Sequence, residues 1–389
     1  MMVFFPEMYE DELAYSLFAR YHVHAGHLTF RATAEDLFVN KDVIPSTEFI
    51  VPLTEEAVKM IARTMPLSEF VEKHTMLPYY TRFIPLERRK KAFNLITAMD
   101  RTFYDCLYMR KNKTEMRKYM RYCPLCATID RKKYGETYWH RKHQLPGVEI
   151  CLEHRCRLED SSIGITVESQ RFKLIHAELV VPEDTPVNMN VSDMEYMLSN
   201  YVMQIFNADM DFENDVSTGK FLQSRLEGTP YISTRGEQVF ARKLYAALTE
   251  YYKDLPQYSL EAWWYVQKIF CSQNFHTYDV CLIAFFLGIP IYDLLHMTLP
   301  ELTLQQRFDA QLRRLRSQGM TQKQAAEAMG VSIHAVKAVE EKKYKSISLG
   351  MCHPCYPPVA VNTNICSIIG TKKRKSSTKI WAAWLHYTH

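Results

Sequence analysis

Apolar residues recur every three to four positions along most of the chain, which is the pattern of amphipathic helices. In EDELAYSLFARYHVHAG, the residues Leu13, Leu17 and Tyr21 fall on one helical face, and Gly26 stands where helices often end. The same period occurs in TEEAVKMIARTM, LERRKKAFNLITAMD, MEYMLSNYVMQIF, GEQVFARKLYAALTEYYKDL and LEAWWYVQKIF. The fold is therefore predicted to be mainly α.

Two further local patterns refine this picture. Thr33 precedes Asp36 by three residues in TAEDLF, which is typical of a capping box at the start of a helix. Strand patterns are sparse, and the best extended candidate is FKLIHAELVV, from Phe172 to Val181.

The longest apolar run is VCLIAFFLGIPIY, from Val280 to Tyr292. It has 13 residues and is flanked by Asp279 and Asp293, whereas a membrane-spanning helix needs about 20 residues. A buried helix is therefore expected. The N-terminal stretch MMVFFPEMYEDELAYS has no basic region and reaches acidic residues at once, which argues against a signal peptide. We expect a soluble, cytoplasmic protein.

Length and composition indicate a multidomain globular protein. A chain of 389 residues is too long for one ordinary core. In a cytoplasmic protein, its ten cysteines are expected to be thiols or metal ligands rather than disulfides. The formal net charge is only +4, but residues 110–142 carry eleven Lys or Arg against three acidic residues. Further basic segments lie at 303–345 and in KKRK at 372–375. Such patches favour a polyanionic partner, and the alternative is a solvated charged surface.

Two short motifs place metal-binding residues in pairs. Cys123 and Cys126 form a Cys-x-x-Cys pair, and after 24 residues Cys151 and His154 form a Cys-x-x-His pair. A tetrahedral zinc site takes four such ligands, and each tight turn supplies two of them. We predict one structural Zn²⁺ in a small zinc-finger knot, because four protein ligands leave no position open for water or substrate.

The surroundings of these motifs leave alternatives open. Three nearby residues are able to replace His154 as the fourth ligand: His140, His143 and Cys156. Five basic residues of the knot are predicted to contact DNA phosphates, the alternative being that they only keep the knot solvated: Arg131, Lys132, Lys133, Arg141 and Lys142.

The segment TQKQAAEAMGVSIHAVKAVEEKK has the constraints of a helix-turn-helix. Ala326 is the small residue where the helices touch, and Gly330 supplies the permissive turn. The apolar positions are filled by Ala325, Met329, Val331, Val336 and Val339. The second helix, from Ser332 to about residue 342, is expected to expose Ser332, Ile333, His334 and Lys337 to the major groove. Gln322 and Lys323 are expected to reach phosphates.

A second helix-turn-helix pattern lies in DVCLIAFFLGIPIYDLLHM. Here Ala284 is the small contact and Gly288 the turn, and Pro290 is suited to the first turn of the next helix. Apolar positions are filled by Ile283, Leu287, Ile289, Leu294 and Met297. Because residues 280–299 contain no Lys or Arg, this pattern fits a packing or protein-binding module as well as a DNA-binding one.

Several stretches resemble the TniQ/TnsD family of transposition target-site selectors. They are FFPEMYEDELAYSLFARYHVHAG, MLPYYTRFIPLERR and YCPLC…YWHRKHQLPGVEICLEHRCRLED, and later parts look like the TnsD branch. Residues Cys123, Cys126, Cys151 and His154 match the zinc positions of the family. The resemblance covers about residues 1–345.

The resemblance implies an organisation in five parts. Residues 1–165 would form a TniQ-like domain with a zinc finger at about 121–158, and 166–262 a helical connecting domain. Residues 263–300 and 301–349 would form two helix-turn-helix modules, followed by a tail at 350–389. In that tail Cys352, His353, Cys355 and Cys366 suggest a second zinc only weakly. The chain ends earlier than the longer TnsD-like proteins.

The resemblance also implies a role. Such proteins bind a target and recruit a AAA+ ATPase of TnsC type, which directs the transposase; residues 4–13 are a candidate ATPase contact. The prediction is a sequence-specific double-stranded DNA-binding target selector that is not itself an enzyme. The alternative is a TniQ-type adaptor on an RNA-guided CRISPR complex. No His-Glu-x-x-His, phosphate-binding Gly-rich loop or Gly-x-Ser-x-Gly motif supports an enzyme.

Overall fold

A computed structural model describes residues 4–107, 118–165, 173–233, 236, 238–256, 258, 260–272, 274–300 and 304–340. The chain forms two compact units, residues 1–299 and 300–389. The described residues are mainly helical, with two short two-stranded sheets, so the prediction of a mainly α fold is confirmed. The predicted tail, with its basic run and its cysteines, lies outside the described residues.

The first unit begins with six helices. They are α1 (Ala14–His24), α2 (Phe30–Leu37), α3 (Glu55–Ala62), α4 (Leu67–His74), α5 (Leu77–Thr81) and α6 (Leu86–Thr97). Helix α2 starts earlier than expected, because the Thr29 hydroxyl accepts a hydrogen bond from the Ala32 backbone N–H at 3.3 Å. Thr33 is instead buried inside the helix, where its hydroxyl contacts His22 and His27. The predicted capping role of Thr33 was wrong.

All the strands of the described residues lie, in sequence, after the first six helices and before the later helices of the first unit. Strand β1 (Tyr119–Tyr122) pairs antiparallel with β4 (Glu159–Gly164), and β2 (Ile150–Cys151) pairs with β3 (Cys156–Arg157). Helix α7 (Pro124–Tyr134) follows β1. The extended segment expected up to Val181 is not a strand in its described part, which contains a 3₁₀ turn at Ala177–Leu179. The His176 side chain caps this turn by accepting from the Glu178 backbone N–H.

The remainder of the first unit is helical. Its helices are α8 (Asp193–Asn207), α9 (Thr218–Arg225), α10 (Ala241–Tyr251), α11 (Trp263–Cys271), α12 (Thr277–Phe286) and α13 (Ile291–Leu295). Helices α12 and α13 form the first predicted helix-turn-helix, and Gly288 adopts a positive φ of 64° in the turn. One continuous apolar core joins α1 to α13, and all residues from Thr277 to Ala284 are buried in the unit.

The second unit is described over residues 304–340. It contains α14 (Leu304–Ser317), α15 (Gln322–Ala328) and α16 (Ile333–Glu340), and it has an apolar core of its own. Ala325, Ala326 and Val336 lie at the centre of this core, and Gly330 adopts φ 63° between the last two helices. No helix in the described part of the chain is long and apolar enough to cross a membrane.

Candidate metal centre and nucleic-acid interface

Local backbone structure brings the two predicted ligand pairs together. Cys123 caps the N-terminus of α7, where its sulfur accepts from the Cys126 backbone N–H at 3.4 Å. Pro124, whose missing N–H costs nothing at that position, begins the helix. Cys151 ends β2, and the turn before β3 presents His154. Each pair is therefore held by one tight turn next to regular structure.

The four side chains form one compact group whose ligand atoms all lie within 4.8 Å of one another. His154 Nδ1 lies 3.5, 3.3 and 3.5 Å from the sulfurs of Cys123, Cys126 and Cys151. The sulfurs of Cys126 and Cys151 are 3.7 Å apart. Tetrahedral geometry with zinc bond lengths gives about 3.6 Å between nitrogen and sulfur and about 3.8 Å between sulfurs. The group therefore suits one tetrahedral metal ion.

The three thiols are buried and His154 is half-buried. Hydrogen bonds from the Cys126 and Cys151 thiols lower the pKa of Cys123 to about 3. Hydrogen bonding to Cys123 and Cys151 raises the pKa of Cys126 far above its ordinary value. One thiolate is thus favoured by the fold itself, whereas a coordinated cation removes the protons of the others.

The three alternative ligands lie outside this group. The Cys156 sulfur lies 3.5 Å from that of Cys123, but Cys156 is not among the residues whose ligand atoms are all mutually close. His140 Nε2 is hydrogen-bonded to Asp130 Oδ2 at 2.8 Å. His143 is buried beside Cys151, and burial lowers its pKa to about 3, but it is not among the four residues whose ligand atoms all lie within 4.8 Å of one another. The geometry favours His154 as the fourth ligand.

A second cluster, not predicted from the sequence, lies around Glu136. Its carboxylate accepts from Arg20 Nε at 2.7 Å and from His24 Nε2 at 2.8 Å, and His176 Nε2 is 3.1 Å away. Although burial alone raises the pKa of Glu136, hydrogen bonds from His176, Arg20 and His24 hold that pKa well below its usual range. The cluster extends over 156 positions, from Arg20 to His176, and no local motif joins its residues.

This cluster contains three residues with metal-binding atoms, but their hydrogen bonds do not suit a metal. His176 Nδ1 accepts from the Glu178 backbone N–H at 3.2 Å. A neutral His176 therefore carries its proton on Nε2, the atom that faces Glu136. Arg20 also places a cation on the same carboxylate. The cluster is a buried hydrogen-bond network, beside a cleft of about 310 Å³ lined by Phe4, Tyr9 and Tyr134.

Three of the five basic residues predicted at the zinc knot form ion pairs with acidic residues inside the protein. Arg131 pairs with Glu178 at 2.9 Å, and Arg141 pairs with Asp11 at 3.2 Å and lies over the Phe206 ring. Lys142 pairs with Glu153. Lys132 and Lys133 are exposed on the outer face of α7. Their proposed phosphate contacts stay predictions, and the structure favours Lys132 and Lys133.

The predicted DNA-contacting residues of the second unit also differ in whether they are exposed or buried. His334, Lys337 and Lys323 are exposed. Ser332 is buried, with 2% of its surface exposed, and its hydroxyl accepts from the Ala335 backbone N–H at 3.2 Å. The expectation that Ser332 is exposed was wrong, because a serine preceding a helix satisfies one of the unpaired N–H groups of its first turn.

The other two predicted contacts are partly engaged. Ile333 is half-buried and packs against the core of the second unit. The Gln322 side-chain amide donates to Glu340, which also pairs with Arg316 at 2.6 Å. These bonds tie α16 to α14 and α15.

Comparison with known proteins gives two matches to parts of the chain. Residues 3–158 match the TniQ family model. The transposon Tn7 transposition protein TnsD of Escherichia coli is 26% identical over 190 residues, which are 46% of this chain and 36% of that protein. The match thus spans about a third of the length of the curated relative. The chain carries a TniQ domain, and both matches support membership of the TniQ/TnsD family.

Proposed function

We propose that the protein is a DNA-binding target-site selector of a Tn-like transposition system. The observation that carries this proposal is the TniQ match over residues 3–158, in a chain that also contains a separate helix-turn-helix unit. The exposed His334 and Lys337 on α16 supply that unit with groups for DNA. The protein acts by binding and recruitment, without catalysing a reaction itself.

The metal in this proposal is a structural Zn²⁺ held by Cys123, Cys126, Cys151 and His154. Three sulfurs and one imidazole nitrogen in a tetrahedral group are the donor set that zinc takes in closed sites. Such a metal adds folding free energy to a small knot. Its role is to hold the start of α7 against the β2–β3 turn.

Recruitment is proposed to use the N-terminal segment, residues 4–13, as the contact for a TnsC-type AAA+ ATPase. Phe4 is 46% exposed at the cleft beside Glu136, so an apolar side chain is available to a partner. Phe4→Ala should weaken capture of the ATPase and leave DNA binding unchanged. Leu28→Ala is the matched control, because Leu28 is 98% exposed in the same domain. Equal loss with both variants would count against this contact.

Direct recognition is tested by sequencing the genomic DNA fragments that the purified full chain retains at near-physiological salt, without guide RNA. The expected result is one enriched locus, which disappears in the double variant His334→Ala, Lys337→Ala. Lys59→Ala is the charge-matched control, because this exposed lysine lies on α3 in the first unit. Retention of fragments without any preferred sequence would overturn direct recognition and favour the adaptor on an RNA-guided complex.

A further inference from the structure

Helix α16 offers a particular set of hydrogen-bonding groups to the solvent. Its described residues include three exposed ones, His334, Lys337 and Glu340, spaced three residues apart on one face. Ala335 and Val336 point into the core, and Ser332 is buried beneath the first turn. The exposed face therefore carries one imidazole, one ammonium and one carboxylate.

The Glu340 carboxylate can only accept hydrogen bonds, and both of its oxygens already have partners within the second unit. Glu340 Oε1 is 2.6 Å from Arg316 Nε on α14, and its other oxygen accepts from the Gln322 amide on α15. The ion pair with Arg316 balances the charge of the Glu340 carboxylate, and both bonds direct this side chain toward the neighbouring helices. Lys337, which has no ion pair among those found in the described residues, keeps three N–H donors and no acceptor. The face therefore presents the Lys337 donors to a partner, together with the His334 imidazole, whose two ring nitrogens donate and accept in its neutral form.

Base edges in the major groove differ in what they offer such a face. Guanine presents two acceptors, O6 and N7, and thymine presents one acceptor, O4, beside its methyl group, whereas adenine places an amino donor beside its single acceptor and cytosine presents a donor. An ammonium group with three donors therefore bonds two acceptors on guanine and one on thymine, and it meets a donor on adenine or cytosine. His334 and Lys337 are three residues apart, which is about 4.5 Å along the helix axis, close to the 3.4 Å step between base pairs.

We propose that the second helix-turn-helix selects guanine, with Lys337 donating to O6 and N7 of one guanine and His334 contacting the adjacent base pair. This inference rests on the proposed function, since it specifies which duplex the target selector reads. Lys323 at the start of α15 contacts a phosphate and carries no base preference.

The test uses the full chain and the duplex enriched from genomic DNA, with affinity measured by fluorescence anisotropy at fixed salt. Each guanine of the site is replaced in turn by 7-deazaguanine, which keeps its base pairing but lacks the N7 acceptor. One replacement should weaken wild-type binding about ten-fold. Lys337→Ala should lose at least as much on the natural duplex, because it removes the contact to O6 as well as the contact to N7, and it should lose little more on that modified duplex, where the N7 contact is already absent.

Two further variants separate base reading from general charge. Lys337→Gln should shift the preference at that position from guanine to adenine, since a glutamine amide pairs with adenine N6 and N7. Lys323→Ala should weaken binding to every duplex equally, keep the sensitivity to 7-deazaguanine and lower the salt dependence by about one counterion. The thermal unfolding of each variant is recorded alongside, so that loss of folding is recognised.

The outcomes distinguish the two proposals. If no duplex is enriched, the proposed function fails and guanine selection fails with it. If a specific duplex is bound but no 7-deazaguanine replacement matters, or if Lys337→Ala adds fully to every replacement, guanine selection is overturned while target selection stands. Non-additive loss at one guanine together with the switch by Lys337→Gln would establish it.

Discussion

Two segments of this chain share one sequence pattern and differ in what surrounds them. Ala284 and Gly288 in the first helix-turn-helix correspond to Ala326 and Gly330 in the second, and both glycines adopt φ near 64°. The first, α12–α13, is packed into the core of the first unit, where α12 is buried from Thr277 to Ala284. The second belongs to a small unit with its own core and an exposed last helix.

Side chains from elsewhere in the first unit bond to the backbone and to an acidic side chain of the first helix-turn-helix. The Tyr201 hydroxyl donates to the Ile289 carbonyl at 2.9 Å, and Arg225 pairs with Asp293 at 3.0 Å. Its second helix, Ile291–Leu295, has only five residues. In the second unit Lys337 and His334 are exposed. The shared pattern thus encodes a tight turn between two helices, and the surface around it decides whether DNA has access.

The largest expected effect concerns the metal centre of the first unit. Cys151→Ser should release the metal and unfold the knot, because a structural zinc ion contributes on the order of 10 kcal/mol of folding free energy. The second helix-turn-helix should keep its own unfolding transition. Elemental analysis and thermal unfolding measure both effects. Cys271→Ser is the control, since Cys271 is exposed and free, and an unchanged metal content in Cys151→Ser would contradict the site.

The next effect tests how firmly α12 is packed. A Cβ added at Gly147 would lie 2.4 Å from Tyr278 Cε2 on α12, at a backbone φ of 82°. Gly147→Ala should destabilise the first unit by about 2–5 kcal/mol, from strain plus overpacking. Gly135→Ala has the same φ and nothing within 4 Å, so it should cost only about 1 kcal/mol. Equal losses of unfolding free energy for the two variants, measured by chemical denaturation, would show that the Tyr278 ring moves aside at little cost.

Acid should also act on the first unit through His74. This imidazole is buried, donates from Nδ1 to the Glu12 carbonyl at 2.6 Å, and has its pKa lowered by burial to about 4. The unfolded chain therefore binds a proton first, near pH 6.5. The stability that neutral His74 confers is complete above that pH and is lost as pH falls toward 4, by up to about 3 kcal/mol.

The measurement is the free energy of unfolding from pH 7 to pH 4 for the wild type and His74→Gln. Subtracting the two curves cancels the protonation of the metal ligands, which both proteins share. The wild type should lose stability more steeply between pH 6.5 and pH 4. Parallel curves would exclude His74 as the group responsible.

The smallest effect concerns Ser332 in the second unit. Because its hydroxyl caps α16, Ser332→Ala should destabilise this unit by about 1 kcal/mol. Affinity for the specific duplex and for random DNA should then be unchanged once folding is corrected for. A loss confined to the specific duplex would return Ser332 to the base-reading role predicted from the sequence.

Local patterns predicted much of the architecture. Helical periodicity located α1, α3, α6 and α8, since burying one face of a helix requires apolar residues at that period. The four candidate metal ligands were predicted because each pair lies within one turn, and the structure brings the two pairs together. The short sheets were missed, since strands of two to six residues carry little periodic signal.

Contacts between distant residues account for what could not be predicted. Arg131 and Arg141 belong to a basic segment in the sequence, yet they pair with Glu178 and Asp11, which lie 47 and 130 residues away. The network around Glu136 brings Arg20 and His176 together in the same way. Charge counted along a chain therefore overestimates the charge that a folded surface offers to DNA.

By itself, the sequence determined the helices, the paired metal ligands and both helix-turn-helix turns, because these depend on residues within a few positions of one another. Only the tertiary structure decided which arginines are neutralised and which helix-turn-helix is buried. Those properties depend on side chains that are distant in sequence and meet only when the apolar core forms.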